Sequence, residues 1–206
     1  MRVSRDRFAS ARIRWVLACI AGGLLVGLVS VAGCAAIGDC QLNSGILKQT
    51  SYCLLGLMAV PQSVVIRDRV RPALWLFATG YMGTALTIMF VNLGYLFIGF
   101  LAAPLAGLAI GAIQAFVLTR DRMAWSRWVA ASVLAVAIIS PFFGNMDWVP
   151  PLVTIGNGAL NWEIRWTVAG LTYGLVMAPA LPFLGLPRNE VEGAKQSSIG
   201  SEIERR

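Results

Sequence analysis

The chain has 206 residues, of which 57% are hydrophobic and only 13% are charged, with a net charge of +7. The charged share is about half that of a typical globular domain, which excludes an ordinary soluble protein. The chain contains no histidine, which excludes histidine-ligated haem or metal sites and catalysis by a histidine base. We predict no cofactor, no metal site and no catalytic residue.

Long windows without charged residues predict membrane-spanning helices, because about 20 apolar residues cross about 30 Å of hydrocarbon. The window 72–119 is long enough for two spans, with a turn at Asn92-Leu93-Gly94. The sequence therefore predicts an all-α polytopic membrane protein, with a six-span domain over residues 1–188 and a disordered cytoplasmic tail over residues 189–206. The predicted spans lie near 14–36, 48–66, 73–92, 96–118, 126–143 and 165–187.

The first span has a second interpretation. Its apolar run ends in Val31-Ala32-Gly33-Cys34, which is similar to a bacterial lipoprotein processing site. We favour an uncleaved span, because about 20 apolar residues are long for a signal sequence. Cys34 would then lie near the outer surface; cleavage with lipidation of Cys34 is the alternative, and a disulfide involving Cys40 is a separate possibility.

The second and third spans are repeated by the fourth and fifth. Gln62, Arg67-Asp68-Arg69 and Trp75 return as Gln114, Arg120-Asp121-Arg122 and Trp128, shifted by 52 or 53 residues. The two copies cover residues 56–88 and 107–139 and predict repeated two-helix hairpins. A weaker echo before Trp15 suggests a third hairpin, which the sixth span would complete by packing on the first.

The distribution of basic residues predicts the orientation of the chain. With a cytoplasmic N-terminus, the inner segments hold 15 of the 17 Lys and Arg residues, as the positive-inside rule requires. We predict a multi-pass protein of the bacterial inner (plasma) membrane with both termini cytoplasmic, and no nucleic-acid partner, because no basic face is interleaved with aromatic residues. Four turn arginines either anchor this topology or bind an anionic lipid or a partner subunit: Arg67, Arg69, Arg120 and Arg122.

Gln62 and Gln114 are the candidate ligand-binding residues. Each lies five or six residues before an inner turn, about 8–9 Å deep at 1.5 Å per residue. A buried amide needs partners, so the pair either lines a polar pocket or makes hydrogen bonds between packed helices.

Other polar and aromatic residues have simpler interpretations. Trp15, Trp75 and Trp128 follow basic segments, as expected of an aromatic belt at the membrane interface; a ligand cage is the alternative. Asp147 and Glu163 lie in the predicted outer segment 144–164, either as an acid pair or, as we favour, as solvated surface.

The repeated pattern of Gln, Val, Arg-x-Arg, Trp and Ala resembles a group of uncharacterised polytopic membrane proteins from cyanobacteria and related bacteria. The likeness covers residues 56–88 and 107–139, with a fainter echo at 169–174. Where that group tends to have Trp after the Gln, this chain has Ser63 and Ala115. The resemblance implies a fold and membrane residence, and no activity.

The leading functional prediction is a non-enzymatic accessory, assembly or scaffold subunit that acts with other membrane proteins. It depends on predicted spans that contain no ionisable side chain, since proton relays and ion paths normally leave one there. The alternative is a small-molecule transporter or a substrate-binding membrane component, because internal repeats are typical of transporters. An intramembrane enzyme is a third class, for which no base lies within a span.

Overall fold

The computed structural model describes residues 2–37, 54–93, 101–140 and 158–184, which are helical apart from short turns. These residues contain no strand, so the all-α prediction is confirmed for the described part of the chain. The predicted tail, the Cys34 side chain, Cys40 and Asp147 lie outside the described residues. The described residues form six helices. They are α1 (Arg2–Ile37), α2 (Leu55–Ile66, beginning with the 3-10 turn Leu55–Met58), α3 (72–93), α4 (Ala102–Leu118), α5 (Arg122–Ile139) and α6 (Gly158–Met177), which the 3-10 helix Ala178–Leu184 continues.

Length and apolar composition identify two of these helices as candidate membrane spans. One is Ser10–Gly33 within α1 and the other is Arg122–Ile139, the whole of α5. Helices α2 (Leu55–Ile66) and α4 (Ala102–Leu118) are apolar but shorter, with 12 and 17 residues. Two of the six predicted spans thus pass this test within the described residues.

Two short turns join α2 to α3 and α4 to α5. In the first, the Arg69 and Val70 amides donate to the Ile66 carbonyl at 2.8 and 3.0 Å, and Pro72 begins α3, a position where proline loses no helical hydrogen bond. In the second, the Asp121 carboxylate accepts from the Met123 amide at 3.1 Å and caps α5. The connections are so short that the joined helices run antiparallel.

The helices form a ring in chain order, because each packs on the next and α6 packs on α1. The predicted contact between the first and last spans is therefore confirmed. Gly23 faces the Trp166 carbonyl and Gly170 faces the Cys19 carbonyl, so a side chain at either glycine would collide with the backbone of the opposite helix. Such close approach is typical of helices that associate through small residues.

Three repeated tryptophans lie at the centre of the ring, which makes the predicted interfacial belt wrong for them. Trp15, Trp75 and Trp128 are all 0% exposed. The Trp15 ring meets Trp75 and Trp128 edge to face, with centroids 6.3 and 5.7 Å apart. Their common position in the repeat places them on the inward faces of α1, α3 and α5. Trp162, which falls in the predicted outer segment 144–164, is likewise buried and lies in α6.

The position of Glu163 also differs from the prediction. It lies in α6, and its carboxylate contacts the Gly27 position of α1, inside the candidate span Ser10–Gly33. Both carboxylate oxygens are buried and have no hydrogen-bond partner among the described residues. The solvated-surface interpretation is therefore wrong for Glu163, whose carboxylate packs against a candidate span although the residue lies outside the predicted sixth span, 165–187. The close packing of α6 on α1 is the reason, since it extends α6 further than the apolar window indicated.

Candidate binding cavity

A cavity of about 110 Å³ lies between the helices and has both candidate glutamines in its wall. Along α3, the lining residues Thr79, Gly83 and Thr87 follow Trp75, so the tryptophan cluster lies between the cavity and the short turns. The wall is mostly apolar, with a few polar groups that are all uncharged. The apolar lining residues are Leu55, Met58, Ile110, Ile139, Trp166 and Ala169, and the polar ones are Gln62, Thr79, Thr87, Gln114 and Tyr173.

Gln114 joins four helices through its side-chain amide. Its Nε2 donates to the Thr79 hydroxyl of α3 at 3.3 Å. Its Oε1 accepts from the Trp128 indole of α5 at 3.1 Å and from the Tyr173 hydroxyl of α6 at 3.0 Å. Gln114 is 1% exposed, so its amide makes no hydrogen bonds to bulk water. The three bonds within the protein compensate for that loss.

Gln62 is buried to the same degree but has far fewer partners. It is 2% exposed, and its Nε2 donates only to the Cys19 sulfur of α1, at 3.5 Å. Its Oε1 is buried and accepts no hydrogen bond from any described residue. The structure thus brings both predicted site residues to one cavity, in different hydrogen-bonding states.

The glutamine contacts follow the repeat. Cys19, Thr79 and Ser132 each lie four residues after a repeated tryptophan. Gln62 pairs with Cys19 and Gln114 pairs with Thr79, so each glutamine reaches the equivalent position of the preceding copy. Tyr173 of α6 lies near Ser132, so it has the position that a third glutamine would have. The ring therefore has approximate threefold symmetry in which a tyrosine replaces the third glutamine.

Thr79 lies in an unusual stretch of α3. Residues Leu76–Met82 form a π-helix between two α-helical segments. Such wide turns are rare and often occur at functional sites. This one carries Thr79 and ends beside Gly83, and both line the cavity.

Sequence analysis missed Thr79, Tyr173 and the central position of the tryptophans. Thr79 could have been predicted, because it belongs to the repeated Trp-x-x-Ala-(Thr or Ser) motif. Tyr173 lies in the faint echo at 169–174. Its equivalence to a glutamine follows only from its position beside Ser132 in the folded ring.

The four turn arginines do not take part in the cavity. Arg67, Arg69, Arg120 and Arg122 are exposed at the ends of the two hairpins. Arg67 lies 3.8 Å from the Asp68 carboxylate, and both side chains are largely exposed. Their contact with lipid heads stays a prediction.

The polar groups of the cavity lining are amides and hydroxyls. Within the described residues, no charged side chain is part of the lining, and no group of three metal-ligating side chains comes together. Amides and hydroxyls surrounded by apolar side chains can orient a neutral ligand through hydrogen bonds.

No protein-family model, curated protein or solved structure matches this chain. The resemblance to uncharacterised polytopic membrane proteins therefore stays a prediction, and the function follows from the geometry of the cavity.

Proposed function

We propose that this chain is an integral membrane protein whose six helices surround a binding site for a small, uncharged molecule. The observation that carries the proposal is the cavity of about 110 Å³ in which two buried glutamines from the repeated hairpins take part. Ligand pockets are mostly apolar, with a few placed polar groups that orient the ligand. This cavity has that composition.

The outer surface of the ring supports residence in a bilayer. Every helix exposes large apolar side chains, whereas polar side chains such as Gln62, Gln114 and Ser132 are buried inside. Soluble proteins rarely expose apolar side chains so extensively. Contact with the hydrocarbon of a bilayer would remove these side chains from water. The exposed pairs include Leu17 and Leu28 in α1, Val60 and Val64 in α2, Phe77 and Tyr81 in α3, Leu108 and Phe116 in α4, Leu134 and Ile138 in α5, and Leu171 and Leu175 in α6.

The exposed turn arginines support an orientation with both short turns in the cytoplasm. Both turns lie at the same end of the ring, and basic loops remain on the cytoplasmic side. The cavity would then lie toward the outer side of the inner membrane, beyond the tryptophan cluster. Reporter fusions at the two termini should both indicate the cytoplasm; a reporter that places one terminus outside would contradict this topology.

The size of the cavity limits the ligand. An apolar cavity of about 150 Å³ accommodates benzene, and this one is smaller but not fully enclosed. It therefore suits one ring or a short chain, or the end of a longer molecule that extends outward. Since no charge lines the described wall, a charged ligand would lose its hydration without compensation.

Native mass spectrometry of the protein, extracted gently from its own membrane, tests the proposal. Gly83→Leu is the blocking variant, because Gly83 lines the cavity and a Cβ there has its nearest atoms at 3.8 and 3.9 Å. We expect a reproducible small-molecule mass on the wild-type chain that Gly83→Leu loses. Gly33→Leu is the matched control and should retain it, since a Cβ at Gly33 has no atom within 4 Å.

The same experiment separates the accessory-subunit prediction from binding. Partner subunits at fixed stoichiometry, with no small molecule on either the wild type or the Gly33→Leu variant, would support the accessory role and contradict the proposal. The accessory prediction depended on spans without ionisable groups, and the buried Glu163 carboxylate beside Gly27 of a candidate span weakens that argument.

A further inference from the structure

The two glutamines of the cavity are equivalent in sequence but not in hydrogen bonding. The Gln114 oxygen accepts two hydrogen bonds and its nitrogen donates one. The Gln62 oxygen accepts none from the described residues, although it is buried. A buried amide oxygen without a partner destabilises the folded state, and such an atom in a native structure calls for an explanation.

The repeat shows what is missing around Gln62. In the second copy, the indole of Trp128 donates to Gln114. The counterpart of Trp128 in the first copy is Trp75, and its indole nitrogen has no partner among the described residues. The intramolecular donor that fills the site in one copy therefore does not fill it in the other, and the Gln62 oxygen remains available in the cavity wall.

A second unused group lies in the same wall. The Thr79 oxygen accepts from Gln114, and a hydroxyl that accepts still has one proton to donate. The π-helical segment around Thr79 places this hydroxyl in the cavity lining. The wall thus offers an acceptor on Gln62 and a donor on Thr79, and no charged side chain is among the described lining residues.

We propose that Gln62 and Thr79 bind a hydroxyl group of the ligand, which donates to the Gln62 oxygen and accepts from the Thr79 hydroxyl. This inference depends on the proposed function, because it assumes that the cavity is a binding site, and it names the ligand class as a neutral alcohol or phenol with an apolar body. The apolar body would lie against Met58, Ile110 and Ile139. The oxygen of Gln114 already accepts from Trp128 and Tyr173, so we assign Gln114 to the framework of the site.

Two matched probes test the role of the hydroxyl. 4-Fluorophenol and 4-fluorotoluene have nearly the same size and differ by a hydroxyl in place of a methyl group. Their binding to the full chain in lipid nanodiscs is followed by fluorine NMR, with empty nanodiscs to correct for partition into lipid. We expect the wild type to bind the phenol about tenfold more tightly, the effect of roughly one hydrogen bond to a buried partner.

Gln62→Met keeps the volume of the side chain and removes the amide. It should lose the tenfold preference and bind 4-fluorotoluene as the wild type does, which also shows that the cavity is intact. Ser63→Ala is the control on the same helix, because the Ser63 hydroxyl bonds to the Val60 carbonyl within α2 and does not line the cavity. It should retain the preference. Thr79→Val, a second variant, should reduce it.

The outcomes distinguish this inference from the proposed function. If the wild type binds neither probe, both proposals are wrong. If it binds both probes equally, or if Gln62→Met and Thr79→Val keep the preference for the phenol, the cavity is a binding site but the hydroxyl assignment is wrong. In that case a water molecule, rather than a ligand hydroxyl, would be the hydrogen-bond donor to the Gln62 oxygen.

Discussion

Two hairpins of this protein, α2–α3 and α4–α5, carry the same motif and use it differently. In the second, Gln114 is held by Thr79, Trp128 and Tyr173. In the first, Gln62 has a single weak contact with Cys19. The second copy therefore stabilises the ring, while the first presents an unused amide to the cavity. The repeat places an equivalent amide in each hairpin, and the residues around each amide decide whether its oxygen is hydrogen-bonded within the protein.

The neighbours differ because the third unit of the ring is not a true copy. Helix α6 supplies Tyr173 where the repeat would have a glutamine, and its hydroxyl adds a second donor to Gln114. The Gln62 oxygen has no comparable donor among the described residues. The departure from exact repetition in α6 thus decides which glutamine is occupied.

Exchanging each glutamine for methionine gives the largest expected difference between the copies. Gln114→Met should lower the free energy of unfolding by about 2–4 kcal/mol, because it leaves the Trp128 indole and the Tyr173 hydroxyl buried without partners. Gln62→Met should not lower it and should raise it by up to about 1–3 kcal/mol, since it removes a buried oxygen with no partner among the described residues and loses only the weak contact with Cys19. Unfolding in mixed micelles measures both variants. Equal losses would show that the amides are equivalent after all.

A glycine substitution should have the next largest effect. Gly107 of α4 lies against α5, where a Cβ would be 2.8 Å from the Val133 Cα and 2.9 Å from the Ser132 carbonyl oxygen. Its counterpart in the first copy is Leu55, whose side chain lines the cavity. Gly107→Ala should destabilise the protein by about 1–3 kcal/mol, because the helices must separate.

The matched control for that prediction is Gly33→Ala, where a Cβ has open space. We expect it to leave stability unchanged or to raise it slightly, since alanine favours a helix. Unfolding transitions of the two variants in the same micelles are sufficient. A Gly107→Ala variant as stable as Gly33→Ala would mean that α4 and α5 pack less tightly than the structure shows.

The two Arg-Asp-Arg turns give the smallest expected difference. Asp121 caps α5 by accepting from the Met123 amide, so Asp121→Ala should cost about 1 kcal/mol. Asp68 makes only an exposed contact of 3.8 Å with Arg67, so Asp68→Ala should have no measurable effect. Thermal unfolding of both variants checks this, and a larger loss from Asp68→Ala would reverse the assignment.

Several features could be predicted from the sequence because they depend on local pattern. Uncharged apolar windows predicted helices, and the echo of Gln62 at Gln114 predicted two similar hairpins. The turn predicted at Asn92-Leu93-Gly94 is not among these features, because Asn92 and Leu93 are helical and Gly94 lies outside the described residues. The contact of the first and last helices followed from completing a third hairpin.

Other features could not be predicted, because the partners come from distant parts of the chain. Trp15, Trp75 and Trp128 follow basic residues just as interfacial tryptophans do, and only the ring shows that they face one another. Glu163 lay at the edge of an apolar window, and only the packing of α6 on α1 placed it beside Gly27.

The amino-acid sequence by itself determined the helical class, the repeat and the two glutamines that matter, because periodicity and composition act within a few turns of helix. The tertiary structure decided which glutamine is occupied. That choice depends on Trp128 and Tyr173, which lie 14 and 59 residues from Gln114 and reach it only when the ring closes. Hydrogen bonding depends on distance in space, and the sequence pattern treats both copies alike.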